Sequence, residues 1–300
     1  MLGMLGSKTS PRIKMVINPK TRPLTMCILF IARHLRRDYP LIIAANRDEF
    51  FTRPTDPLAP WPDAPILAGR DRQAGGTWLG INPTTGLFAA VTNIRAAHLP
   101  PTGGKSRGTL VTRALQTPPA KLPHFAAQLT AASTTYNPFN LLYGPLQNAG
   151  QHLYRHSSLQ PHPTPIKDGI TALSNGPPDQ LWPKMARGTK LLRQYLETAP
   201  KIAPDPLIEI MRDHTRARPQ DLPKNGIPAT TEHPLSSIFI PPLTLKNHPY
   251  GTRTTTLLLC TPQKITIIEQ TWTPNNTPGP RTTQTQKPPD KGGLGGLRGD

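Results

Sequence analysis

Three hundred residues with 36% hydrophobic content, 39 prolines and a net charge of +18 describe a basic chain, only part of which can bury a core. Two cysteines, Cys27 and Cys260, exclude a disulfide scaffold and point to a reducing, cytoplasmic setting, and no apolar run approaches the roughly 20 residues that span a bilayer. The charge divides into +5 over residues 1–25, +2 over 273–300 and +11 between them, with no basic helix face and no aromatic interleaving, so specific nucleic-acid binding is not expected.

Residues 1–25 carry five cations, no acid and three prolines, and read as a disordered extension. Its two explanations are a start codon placed too far upstream and a leader that is cut away, which would make the protein organellar. Cys27 to Ala32 and Leu41 to Ala45 are apolar runs joined by the charged turn Arg33 to Asp38, a hairpin. Thr77 to Ile81 and Leu87 to Asn93 flank Asn82-Pro83-Thr84-Thr85-Gly86, a second hairpin. Ser106 is placed to cap a helix through Val111 and Leu115, and a further helix spans about 123–132. Strands follow at Phe139 to Gly144, Gln151 to His156 and Gly169 to Ser174. Helices follow at Trp182 to Thr198, with Met185, Leu192 and Leu196 on one face, and at Pro206 to His214. Ser236 to Ile240 reads as strand, and Thr254 to Cys260 with Lys264 to Glu269 make a last hairpin. The Pro, Thr, Gln and Gly of 273–300 read as a disordered low-complexity tail, leaving one domain over 26–272. Hairpins first and last with helices between them give an α+β class, most simply two stacked antiparallel sheets covered by helices.

Five polar residues fall at strand ends or in the turns after them, where a scaffold presents a site: Cys27, Asp48, Asn93, Asn175 and Arg253. If Met26 is removed, Cys27 acquires a free α-amine of ordinary pKa about 7.7–8.0, so nucleophile and base share one residue. Asp48 can orient that amine or thiol, Asn93 with Asn175 can donate to an oxyanion, and Arg253 can lower a thiol pKa or clamp a carboxylate. The first four also have a plain structural reading. Cys27 can be core, Asp48 a solvated turn carboxylate, and Asn93 and Asn175 ordinary turn asparagines. The histidines are dispersed and there is no Cys-x-x-Cys, so no metal site is expected.

Ordered blocks across about 26–272 resemble the transport and Golgi organisation protein 2 family, also called NRDE after Asn46-Arg47-Asp48-Glu49. The blocks are Met26-Cys27-Ile28, Ala44 to Glu49, Gly75 to Gly80, Thr92 to Arg95, Ser106-Arg107-Gly108, Tyr136 to Leu142, Leu173-Ser174-Asn175, Trp182-Pro183-Lys184, Ser236 to Ile240 and Tyr250 to Arg253. Asn137-Pro138-Phe139 departs from the pattern, which has a glycine before the phenylalanine. A weaker resemblance is to the N-terminal-nucleophile (Ntn) hydrolases of the bile-salt hydrolase and penicillin V acylase type. It implies a four-layer αββα sandwich whose site elements fall on Cys27, Asp48, Asn93, Asn175 and Arg253; the arginine those enzymes carry before the aspartate would fall on Ala45, with Arg47 displaced. Two functions are implied. One is hydrolysis of a small amide, needing no cofactor. The other is non-catalytic binding and trafficking of haem or of a lipid or acyl-CoA ligand.

Overall fold

The computed structural model describes residues 26–95 and 104–289; the basic segment 1–25 lies outside them. Continuous apolar runs, buried on both faces of the sheet, become strands β1 (Met26–Arg33) and β2 (Leu41–Phe50), paired antiparallel in the expected first hairpin. Next come β3 (Thr55–Pro60), β4 (Leu67–Asp71), β5 (Leu79–Asn82) and β6 (Leu87–Asn93). Helices α1 (Gly108–Gln116) and α2 (Leu122–Ala131) precede β7 (Phe139–Pro145), the single turn α3 (Gln147–Gly150), β8 (Tyr154–Ser157), β9 (Thr164–Pro165) and β10 (Gly169–Leu173). The chain continues through α4 (Pro183–Thr198), α5 (Pro204–Met211), the short turn α6 (Ala229–Glu232), β11 (Leu243–Leu245), β12 (His248–Cys260), β13 (Ile265–Trp272) and β14 (Pro278–Gln286). Pro183 and Pro204 open their helices at positions where an N–H would have no helical partner.

Among the described residues the strands form two antiparallel sheets. One runs β10-β1-β2-β12-β13-β14, with β11 added beside β12; the other runs β3 through β9 in chain order. Leu29, Ile31, Ile43 and Leu258 of the first sheet interdigitate with Leu79, Ile81, Phe88 and Leu142 of the second. The outer face of the first sheet, including Ile28, Phe30 and Leu257, is covered by Met185 and Leu192 of α4 and Leu207 of α5. Leu110 and Val111 of α1 and Phe125 of α2 cover the outer face of the second. This is the αββα layering expected. No helix among the described residues is long and apolar enough to cross a membrane.

Several expectations are corrected. Residues 278–286, assigned to a disordered tail, form β14, whose backbone pairs with β13 over most of its length. Ser236 to Ile240 is not a strand; it is a buried irregular segment whose polar backbone atoms meet side chains, Asn46 Nδ2 donating to the Ile238 carbonyl (3.0 Å) and Ile240 N–H donating to Thr252 Oγ1 (2.8 Å). Ser106 does not cap α1. Arg107 holds the cap position with no side-chain cap, and the Ser106 carbonyl accepts from Thr109 N–H at 3.1 Å.

Candidate functional site

Cys27 is the second residue of β1, and its side chain turns inward between the sheets. It lines a cavity of about 320 Å³ whose wall also includes Arg47, Glu49, Trp78, Asn93 and Ser106. The loop after β10 threads between the two sheets at this point. Asn175 accepts the Cys27 N–H at Oδ1 (3.1 Å) and donates from Nδ2 to the Asn93 carbonyl (2.9 Å), so one side chain spans β1 and β6. Ser174 fixes the same register, its Oγ donating to the Cys27 carbonyl at 3.0 Å while its own carbonyl accepts from Thr92 Oγ1 at 2.8 Å. Cys27, Asn93 and Asn175 therefore meet, as the sequence suggests.

Asp48 is placed differently from the turn carboxylate of the plain reading. It lies within β2 opposite Met26, and because Asn46 and Asp48 share one face, its carboxylate points to the helix side of the sheet, away from the thiol. There it is almost wholly buried. Oδ1 accepts from Thr252 Oγ1 at 2.5 Å, while Oδ2 has no hydrogen-bond partner among the described residues. Burial raises the Asp48 pKa to about 6 against the lowering pull of Lys184, the Thr252 hydrogen bond and Arg95. Lys184, equally buried at the start of α4, is pushed down to about 8 by burial, with Asp48 opposing. Burial thus narrows from both sides the pH range in which the two groups are charged together.

Arg253 does not line the cavity. It is the extra residue of a bulge in β12, between Thr252 opposite Asp48 and Thr254 opposite Arg47. The bulge sends its guanidinium to the Phe50 and Arg53 carbonyls, where it braces the turn into β3. The role of thiol activator does not fit that position.

In the uncut chain the thiol is quiet. Burial raises the Cys27 pKa to about 12; Asp48 and Glu49 add to this and Arg47 and the Asp48 backbone oppose it. Since the thiolate is the reacting form, alkylation of Cys27 in the folded full-length protein at pH 8 should run about a thousand-fold slower than in the urea-unfolded chain. Peptide mass spectrometry after timed iodoacetamide exposure measures this; equal rates would show that the thiol is neither buried nor raised.

Sequence reasoning missed Lys184 and the buried pair of Arg95 with Glu232, whose carboxylate oxygens stand 2.6 and 2.9 Å from Arg95 Nη2. Lys184 had a signal. It precedes Gly188 by four positions and Leu192 by eight, so it falls on the buried stripe of α4.

A family model described as Transport and Golgi organisation 2 matches residues 26–274. The chain belongs to that family. A human Transport and Golgi organization protein 2 homolog is 32% identical over 247 residues, covering 78% of this chain and 88% of the relative. The mouse homolog is 30% identical over 246 residues with the same coverage, and the Drosophila melanogaster protein 27% over 268 residues, covering 83% and 93%. Among solved structures, a Caenorhabditis elegans N-acylethanolamine-hydrolyzing acid amidase ortholog aligns over 78% of this chain and 92% of that one, at a TM-score of 0.39 and 7% identity, too slight a likeness to bear on activity.

The tetrapeptide that gives the NRDE family its name divides between two environments. Arg47 and Glu49 face the Cys27 cavity, whereas Asn46 and Asp48 face the helices, with Asn46 Nδ2 donating to the Met211 carbonyl at 2.8 Å. Asp48 still borders the cavity together with Arg47 and Glu49, while Asn46 ties the strand to the segments behind it.

Proposed function

We propose that this protein is a cysteine amidohydrolase that acts on a small amide once its chain begins at Cys27. The observation that supports this reading is the Asn175 bridge, which holds the Cys27 nitrogen at the cavity wall and ties it to Asn93. With Met26 removed, that nitrogen is an amine in reach of the thiol on the same residue. The amine takes the thiol proton and the sulfur attacks the amide carbonyl. Asn93 stands on the wall where the developing oxyanion would be met. The protonated amine then passes its proton to the leaving nitrogen as the C–N bond breaks, and water hydrolyses the thioester to release the acid and restore the thiol. The cavity is at the small end of ligand sites, and its wall carries Arg47, Glu49, Arg53, Asp71 and Lys105, which favours a compact substrate with polar groups over a long acyl chain.

A second reading, binding without turnover, is favoured by the uncut chain itself, in which Met26 occupies the amine and the thiol stays protonated. Haem is the less favoured ligand on this reading: among the described residues of the wall, Cys27 is the one side chain of the kinds that commonly hold haem iron, and burial raises its thiol pKa. The relatives' names, transport and Golgi organisation, describe a cellular outcome compatible with either reading. A cytoplasmic location agrees with two free buried cysteines.

Two preparations test the proposal: the full chain, and a chain released from a fusion so that it starts at Cys27. A small acylating probe should add its mass to Cys27 in the second, and in neither the first nor the Cys27→Ala variant. Failure of the released chain to label, or equal labelling of both chains, would overturn hydrolysis and leave the binding reading.

A further inference from the structure

Behind the Cys27 strand, on the helix side of the sheet, lies a group of buried charges with no part in the reaction above. Asp48 comes from β2, Lys184 from α4, Glu232 from the short turn α6, and Arg95 from the segment after β6. Tyr250 of β12 and Met26 pack against the same place, beside Leu235 and Ile240. Arg95 and Glu232 neutralise each other through their two close contacts, and Asn225 Nδ2 donates a further bond to Glu232 Oε2 at 3.2 Å. That leaves one anion, Asp48, and one cation, Lys184. Lys184 Nζ is 3.5 Å from the Leu235 carbonyl, and Leu235 touches the pocket that Met26 fills. A lysine is buried among apolar neighbours at a cost of several kcal/mol unless a partner offsets it. Asp48 offsets part of that cost.

We infer that Lys184 is a positioning residue for the Cys27 amino group, holding Asp48 ionised and sharing it with that amine when Met26 is gone. This rests on the reading that the amine is freed. Met26 is fully buried and paired in register with Asp48. Its removal empties buried volume on the face of the sheet that carries Asp48, whose Oδ2 has no hydrogen-bond partner among the described residues. The new amine keeps its contact with Asn175 Oδ1 and has Oδ2 as a second acceptor. Two cations then stand about one carboxylate. Repulsion between them disfavours the charged amine, so at neutral pH the amine is the free base that thiol deprotonation requires.

The test reads the amine directly. A chain starting at Cys27 is labelled with [13C,15N]cysteine, and its α-carbon resonance is followed against pH; Cys260, within the chain, has no amine to titrate. In the unchanged protein the midpoint is expected below the ordinary 7.7–8.0. In Lys184→Met it should rise by about one pH unit, because the opposing cation is gone and Asp48 remains. Lys184→Arg, which keeps the charge, should leave it near the unchanged value. If Lys184→Met does not fold, Lys184→Gln removes the charge with a polar stem. A second measurement needs no free amine. In urea unfolding of the full chain, Asp48→Asn with Lys184→Met together should cost less than the two changes summed. The inference is overturned if the midpoint is the same with and without the Lys184 charge, or if the two stability changes simply add. A shifted amine in a protein that turns over no amide would uphold the positioning role and count against hydrolysis.

Discussion

Glu232→Ala is expected to remove about 3–5 kcal/mol of stability, the range for breaking a buried ion pair from one side. Glu232 is 1% exposed and Arg95 5%, so neither charge can turn to water. The guanidinium also stacks over the Trp182 ring at 5.3 Å, and its Nε and Nη1 have no hydrogen-bond partner among the described residues. Alanine at 232 would leave that cation unpaired with Lys184 nearby, a like charge. Arg95→Met with Glu232→Met should recover most of the loss, since replacing both members removes the desolvation cost with the attraction. The midpoint of urea unfolding decides it; a shift in Glu232→Ala worth less than about 1 kcal/mol would place the pair in solvent-like surroundings.

The contact between α4 and β1 is the other place where a small change should act strongly. Phe30 is fully buried, and its ring fills the space that a side chain at Gly188 would need. Phe30→Ala is expected to cost about 3–5 kcal/mol through the cavity it leaves. Gly188→Ala should cost about 1–3 kcal/mol despite the better helix propensity of alanine, because its Cβ meets the ring. Combined, the two should cost less than their sum, since the shortened side chain makes room for the added methyl. Thermal unfolding of the three variants measures this. A stabilised Gly188→Ala would mean that the helix stands further from the strand than the packing indicates.

Much of the fold was legible because strands and helices here keep their own periods. The three hairpins and α1, α2, α4 and α5 fall close to where apolar spacing and turn residues put them. Strand β3 was not, for Thr55–Pro60 contains Pro57 and Pro60, which a central strand would reject. It is the outermost strand of its sheet, where a missing N–H costs little. Ser236 to Ile240 misled in the opposite sense, its apolar content reflecting burial rather than a ladder. Within the site, Cys27, Asn93 and Asn175 were readable as polar residues at strand ends. The orientation of Asp48 was not. It depends on Cys27 being paired with Arg47, and pairing register is a property of two strands together. Arg253 was misjudged for a related reason, since one bulged residue redirects its side chain.

Strand β14 starts beyond residue 274, where the match to the family ends. Its neighbour β13, Ile265–Trp272, is rich in β-branched and aromatic residues. Uncovered, it would offer its backbone N–H and C=O groups to any passing chain. β14 occupies that row with threonines, glutamines and an arginine, and its prolines 278 and 280 cannot donate to a further strand. What composition marks as a featureless tail thus serves as a selvage, finishing the sheet against self-association.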